Sequence, residues 1–512
     1  MNFFPYRIIL LFLLYNASTF AGVEELEKVV ANACMSCEEM KNLRLPGVTI
    51  VEATAVAEDE NGSSNRKAHC KIQGRIDTEI EFELLLPEDW NGRFAMGGGG
   101  GFVGTVQNMV NYSVNSGFAT AGTDTGHKGN GIKADWALNN MERQLNFGHM
   151  AIHKTAEVSK MLIFYYYCKD PDYSYFLGCS RGGGQAMMEA QRYPEDFDGI
   201  VAMAPAFNWT GFGAEMLQNA RAIYPDPDDL ENPVITKDNL RILQQSVLDA
   251  CDALDGLKDD LINDPRDCDF DCNTLPLCAD GEQGKDCFTR EQIQAIKTIY
   301  DGLVIDGEEI HPGFPYGGEN ENGGWPSWIV GPVESLKSLN FPSLQFGFST
   351  ETFKYLIFND PEWDYSTYDF ADFKETTAYA ASYLDATSTD YSVFKNSGGK
   401  IIFTHGWEDA ALSALATIDH FEALSEKDPE AGQFAKLYLL PGVLHCIGGR
   451  GPYEVDWLEI IVNWVENDMP PDRVIVTKEK KGKNVMSRPI YPYPRKANYD
   501  GKGDPDDAAS FR

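Results

Sequence analysis

The sequence predicts an α/β fold, a mostly parallel sheet with helices on both faces, split by a large insertion. Three observations predict it. Short apolar runs alternate with helix-period segments from about residue 72 to 205, the rhythm stops from about 206 to 390, and it returns at 400. In order, IEFELLLP (80–87) and GRFAM (92–96) read as strands, AIHKTAEVSKMLIFYYY (151–167) as a helix, and YSYFLG (173–178) as a buried strand. GGQAMMEAQRYP (183–194) follows as a helix and GIVAMAPA (199–206) as a strand. After the break come the strand KIIFTHG (400–406), a helix through 410–425, the strand KLYLLPG (436–442) and the amphipathic helix EVDWLEIIVNWVE (454–466). Residues 206–390, rich in Asp, Gly, Pro, Trp and Cys, read as a lid domain inserted between core parts 22–205 and 391–512. The terminal DGKGDPDDAASFR reads as a solvated tail.

Composition narrows the function classes. Of 512 residues, 43 are Lys or Arg and 78 are Asp or Glu, a formal net charge of −35. Such a chain repels phosphate backbones and anionic membrane surfaces, so neither nucleic acid nor membrane is an expected partner. Its 43% hydrophobic content supports a sizeable core and excludes a disordered chain. Residues 1–21 read as a secretory signal peptide: Arg7, the apolar run Ile8–Leu14, then Thr19 and Ala21 at the −3 and −1 cleavage positions. That run is too short to span a bilayer, and the expected location is secreted or periplasmic.

Outside the cytoplasm, eleven cysteines should mostly form disulfides, and an odd count leaves at least one unpaired. Five crowd into residues 251–287, implying a stapled, loop-rich segment. A zinc site is the competing reading, but no CxxC pair is matched by a second pair or by His at ligand spacing.

Gly178-Cys179-Ser180-Arg181-Gly182 matches G-x-S-x-G between a buried strand and a helix. This setting exposes a serine Oγ on a strained strand-to-helix turn and brings helix N–H groups beside a developing oxyanion. Gly97–Gly101, after the strand 92–96, is a glycine loop of the kind that supplies a second oxyanion donor. A phosphate cradle is excluded, since GK[ST] is absent. The candidate donors are Arg181 and one of Gly99–Gly101, with Gly100 as the assigned member.

A serine nucleophile needs a histidine base and a carboxylate to orient it, and in α/β-hydrolases they follow in the order Ser, Asp/Glu, His. Four histidines lie after Ser180: His311, His405, His420 and His445. His445, in the loop LPGVLHCIGGR after a strand, is the candidate base, and Asp409 in THGWEDAAL the candidate carboxylate, with Glu408 and Asp419 as rivals. Cys179 precedes the proposed nucleophile and Cys446 follows the proposed base.

On these features the chain resembles the secreted tannase and feruloyl esterase family, α/β-hydrolases whose triad is flanked by a disulfide. Further matching stretches are GTDTGHKG (122–129), GCSRGGGQAMMEAQRYPEDFDGIVAMAPA, HGWEDAAL and LPGVLHCIGG, collinear over most of residues 34–475. The resemblance implies that Ser180, Asp409 and His445 are the triad and that Cys179 pairs with Cys446. Cys251–Cys268 and Cys278–Cys287 are expected as local pairs and Cys37–Cys70 as an N-terminal one, leaving Cys34, Cys168 and Cys272 unassigned. One departure is visible. Family elbows usually carry a small or acidic residue after the serine and Arg where this chain has Gly184, so Arg181 is expected to add a cation beside the nucleophile and to alter substrate preference.

The stretch from Asp252 to Leu261 packs carboxylates around a glycine turn without EF-hand spacing. On residues alone it suits either Ca2+ or a solvated acidic turn. The family's lid carries a structural calcium loop, and the resemblance implies side-chain ligands Asp252, Asp255 and Asp259 with carbonyls of Leu257 and Leu261. The expected activity is hydrolysis of small esters of aromatic acids, feruloyl esterase or tannase type, free or attached to plant polysaccharide or tannin. A terephthalate-monoester hydrolase and a catalytically silent, calcium-stabilised binding module are the alternatives. Lid aromatics such as Trp325, Trp328, Phe346, Phe348 and Tyr355 are candidates to cover the acyl group.

Overall fold

Parallel pairing dominates a nine-stranded sheet in the computed structural model, which describes residues 33–59, 66–279 and 284–512. The signal-peptide expectation lies outside those residues. The strands are β1 (Val48–Val56), β2 (His69–Ile76), β3 (Ile80–Pro87), β4 (Arg93–Gly97), β5 (Ala119–Thr123), β6 (Tyr173–Cys179), β7 (Gly199–Met203), β8 (Lys400–Gly406) and β9 (Ala435–Leu440). Their spatial order is β1-β2-β3-β5-β4-β6-β7-β8-β9. The first three pairings are antiparallel and the five from β5–β4 to β8–β9 are parallel.

Alternation along each strand divides the core into two faces. Phe94, Met96, Phe176, Ile200 and Phe403 face α1 (Ala151–Tyr167), α2 (Arg181–Arg192) and α5 (Ala414–Lys427), meeting Leu162, Ile163, Met187 and Phe421. Their neighbours Ala95, Tyr175, Leu177, Val201 and Ile402 face α6 (Trp457–Asn467), whose Trp457, Leu458, Ile461 and Trp464 fall at helical spacing. Each fully buried side chain of this size contributes about 1.5–3 kcal/mol, so α6 is fixed by its four core residues.

After β7 the chain leaves the sheet and re-enters at β8. The intervening residues carry an apolar core of their own, with Leu240, Val247, Ile296, Trp325, Phe346 and Phe353. Disulfides join Cys34–Cys168, Cys37–Cys70, Cys179–Cys446, Cys251–Cys268 and Cys278–Cys287, and Cys272 is a buried free thiol. Among the described residues no helix is long and apolar enough to cross a membrane.

The solvated-tail expectation is overturned. Tyr499 and Phe511 form an antiparallel bridge, Asn498 and Arg512 exchange two backbone hydrogen bonds of 2.9 Å, and Phe511 is buried beneath the Arg488 guanidinium, 4.3 Å from the ring centroid. The Asp- and Gly-rich spelling hides one aromatic anchor, and that anchor decides the packing.

Candidate active site

Ser180 stands between β6 and α2 with φ 62° and ψ −122°, a conformation costing a non-glycine residue about 1–3 kcal/mol unless its surroundings enforce it. They do. The Ser180 N–H donates to the Met203 carbonyl (3.0 Å), and the Ser180 carbonyl accepts from Gly184 (3.1 Å) and Ala206 (2.9 Å). A Cβ on Gly184 would sit 2.0 Å from the Ala206 carbonyl oxygen, so this chain has no room for a side chain where the resembling elbows carry Arg.

β8 and β9 are parallel neighbours ending in register at Gly406 and Leu440. The loops that follow therefore leave the same sheet edge side by side, which brings Asp409 to His445. His445 Nδ1 lies 2.7 Å from Asp409 Oδ2. The other carboxylate oxygen accepts from the N–H groups of Ala411 (2.8 Å) and Leu412 (3.0 Å). His405, which sequence reasoning set aside, is a further partner. Its Nε2 is 3.2 Å from Asp409 Oδ2 and 3.0 Å from the Leu412 carbonyl, so that nitrogen carries the proton while Nδ1 accepts from Thr417 Oγ1. Burial acts to raise the Asp409 pKa, but His445 and His405 outweigh it and hold the carboxyl well below the usual range. With Nδ1–H turned to this anion, His445 presents Nε2 as a proton acceptor. The Cys179–Cys446 disulfide joins the residues next to Ser180 and His445.

Ser180 and His445 share a narrow cleft whose walls are Trp209, Phe212 and Met216 of α3 (Trp209–Ile223), Trp328, and Phe348 of α4 (Leu344–Glu351). Trp328 packs edge-on to the His445 ring at 5.1 Å and stacks on Phe348 at 6.0 Å. Of the other lid aromatics, Trp325 and Phe346 belong to the insertion's own core, and Tyr355 lies outside the cleft lining. The assignment of Gly100 as oxyanion donor is corrected. Its N–H donates to Gln107 Oε1 at 2.9 Å, and that of Gly99 to Gln185 Oε1 at 3.2 Å. Gly101 lines the cleft with Ser180, and its N–H meets no acceptor among the described residues. At φ +56°, with a Cβ position 2.2 Å from the Gly131 carbonyl oxygen, only glycine is comfortable there. Arg181 opens α2 and its N–H is likewise free, as a first helical residue's should be.

A family model described as tannase and feruloyl esterase matches residues 64–512. The chain belongs to that family. It is 31% identical to the mono(2-hydroxyethyl) terephthalate hydrolase of Piscinibacter sakaiensis, over 90% of this chain and 88% of that one. To feruloyl esterase B of Aspergillus niger it is 29% identical, over 93% and 95%. The crystal structure of feruloyl esterase B from Aspergillus oryzae superposes with a TM-score of 0.83 at 26% identity, covering 93% of this chain and 99% of that one. This member of the tannase and feruloyl esterase family is thus a carboxylic ester hydrolase of α/β-hydrolase fold.

Within the family elbow, Arg181 lines the cleft with Ser180, and its charge is buried instead of open to solvent. Its side chain is buried in the cleft wall, with the guanidinium 4.4 Å from the Phe147 ring centroid and 5.1 Å from that of Trp209, donating to the carbonyls of Phe147 and Gly148. It braces the cleft wall. Of the rivals, Glu408 faces the insertion instead of His445: Gly317 and Gly318 pack on its side chain, and one carboxylate oxygen has no partner. Burial, then Glu319 and Glu321, push it up to about 8. The unfolded chain ionises Glu408 near the usual carboxylate pKa and the folded chain only near pH 8, so this group makes stability fall as pH rises between those values. Glu408→Gln should therefore raise Tm at pH 7 and flatten its pH dependence in that window; a Tm unchanged or lowered at pH 7, measured by calorimetry, would contradict this. Asp419 sits near Glu309 and Glu422, away from the cleft, while His311 pairs with buried Glu215 at 2.6 Å and His420 with the Tyr391 hydroxyl at 2.9 Å.

The acidic loop is folded on its own backbone. Asp252 Oδ1 accepts from the Asp259 N–H (3.2 Å), Asp255 Oδ1 from Leu257 (2.9 Å), and Asp259 Oδ1 from Leu261 (3.4 Å), while Arg488 pairs with Asp259 Oδ2. Burial first, then Asp259, raises the pKa of Asp252 and of Asp255 against the pull of these N–H donors. Asp252 Oδ2 is buried with no partner, and the carbonyls of Leu257 and Leu261 accept no hydrogen bond among the described residues. Orphaned carboxylate and carbonyl oxygens are the donor set a hard divalent cation takes, so the residues fit calcium.

Proposed function

We propose that the chain hydrolyses carboxylic esters of aromatic acids through an acyl-enzyme on Ser180, with His445 as general base and Asp409 as its orienting carboxylate. The observation that carries this reading is the His445–Asp409 hydrogen bond on a cleft that a strained Ser180 shares with an aromatic wall. Ser180 Oγ attacks the ester carbonyl and its proton passes to His445 Nε2. The carbonyl oxygen takes up negative charge against the N–H groups of Gly101 and Arg181. The C–O bond to the alcohol breaks as His445 returns the proton to it, and water then attacks the acyl-enzyme by the same route. Residues 206–390 act as the lid, whose Trp209, Phe212, Trp328 and Phe348 cover the acyl ring. The names of the relatives, a terephthalate monoester hydrolase and feruloyl esterases, support the aromatic acid.

The cleft's side chains other than Ser180, Arg181 and His445 are apolar, which suits a methoxy-bearing hydroxycinnamate and gives three gallate hydroxyls few partners. On methyl ferulate, methyl gallate and mono(2-hydroxyethyl) terephthalate, kcat/KM should therefore be lowest on the gallate. A gallate-preferring enzyme would place the chain with tannases, and absence of turnover on all three would favour a silent module.

The loop of Asp252, Asp255 and Asp259 with the Leu257 and Leu261 carbonyls would hold Ca2+, which supplies charge neutralisation and takes no part in bond breaking. Chelation should lower Tm, with calcium restoring about 2.7 kcal/mol when present at 100 times its Kd. Metal analysis finding no calcium, together with a melting curve indifferent to chelator, would refute this. The five disulfides support secretion through the N-terminal signal peptide, where the natural substrate would be plant polysaccharide or tannin esters.

A further inference from the structure

Away from the cleft, α1 and α2 bring together a donor set that ester hydrolysis does not use. His153 on α1, Glu189 on α2 and Asp196 just beyond α2 each offer one ligand atom, and these atoms all lie within 4.8 Å of one another. Glu189 is 1% exposed, and neither of its carboxylate oxygens meets a hydrogen-bond donor. A buried carboxylate in that condition is among the costliest groups a fold can carry. His153 is held on both edges, with Nδ1 2.6 Å from Asp196 Oδ2 and Nε2 3.5 Å from Glu157 Oε2. Tyr193 stacks on its ring at 3.9 Å and 5°, fixing the plane. The nearby cation, Lys160, donates to the backbone carbonyl of Asp196 and to neither carboxylate.

We propose that His153, Glu189 and Asp196 bind a divalent zinc-type ion that clamps α1 to the far end of the helix bearing the nucleophile. An imidazole with two carboxylates suits zinc, whereas calcium wants six to eight oxygens. Ligand atoms on one zinc ion lie about 3 Å apart, so the His153–Asp196 contact needs to open only slightly. Glu157, on the outer ring nitrogen, is the partner that metal-bound histidines ordinarily have. The His153 side chain is 22% exposed, which gives the ion a way in. Glu189 is nine residues from Ser180, about 13 Å along the helix, so the ion acts on the fold and not on the ester.

The rival occupant is a proton shared between the Glu189 and Asp196 carboxyls. The experiment uses the full chain stripped with dipicolinate and titrated with zinc chloride alone, in wild type, Glu189→Gln and His153→Gln. Wild type should bind one zinc ion with a rise in Tm, and each variant should bind it at least about 100-fold more weakly. Calcium-dependent melting should be the same in all three. No zinc uptake by wild type, or equal uptake and equal Tm shifts in all three proteins, would overturn the proposal and leave the shared proton. Should Glu189→Gln fail to fold, the partly exposed His153→Gln decides alone.

Discussion

Ser180→Ala should yield a folded protein whose kcat is lower by on the order of 10⁴-fold or more. Alanine deletes the attacking Oγ and leaves the Ser180 N–H and carbonyl, which hold the turn through Met203, Gly184 and Ala206, in place. KM should move little, since the aromatic wall survives, and the residual rate should be what Gly101, Arg181 and binding supply. A fluorophosphonate should label the wild-type peptide containing Ser180 and leave the variant unlabelled. Near-normal turnover by Ser180→Ala, or an adduct on another residue, would remove Ser180 from the mechanism.

The second large effect is expected on opening the Cys179–Cys446 bridge. It closes a loop of 267 residues, for which the chain-entropy model gives about 5–6 kcal/mol of stabilisation. Its ends adjoin the nucleophile and the base, so its loss also relaxes the approach of Oγ to Nε2. A misplacement near 1 Å costs about 10²-fold in rate. Cys179→Ser combined with Cys446→Ser should therefore lower kcat by about 10²-fold with a smaller change in KM, and lower Tm as well. A double variant that melts earlier but turns over normally would reduce the bridge to a staple.

How much of this was legible depended on where the information lay. The parallel strands were readable because they are short, continuous apolar runs bounded by turns, and the 80–87 and 400–406 boundaries coincide with β3 and β8. β5, ATAGT, was missed because its five small buried residues lack the large apolar side chains that mark a buried strand. β1 was missed because an edge strand shows half its side chains to water, Glu52 and Thr54 among them. At the site, residue types and order were enough to nominate Ser180, Asp409 and His445. Which glycine donates was not readable, because it turns on Gln107 and Gln185 capturing the N–H groups of Gly100 and Gly99. His405 was passed over because strand position says nothing about which way its Nε2 points. That the Arg181 charge would be buried against Phe147 and Trp209 was not readable either, since those rings come from distant segments.

The packed terminus has a consequence for the order of events in synthesis. Arg488 contacts both Asp259 of the acidic loop and the ring of Phe511. That guanidinium, and the ring packed on it, are made more than two hundred residues after the loop they brace. The Asp259–Arg488 pairing is thus a long-range contact that closes late, after the insertion that carries the loop has been made.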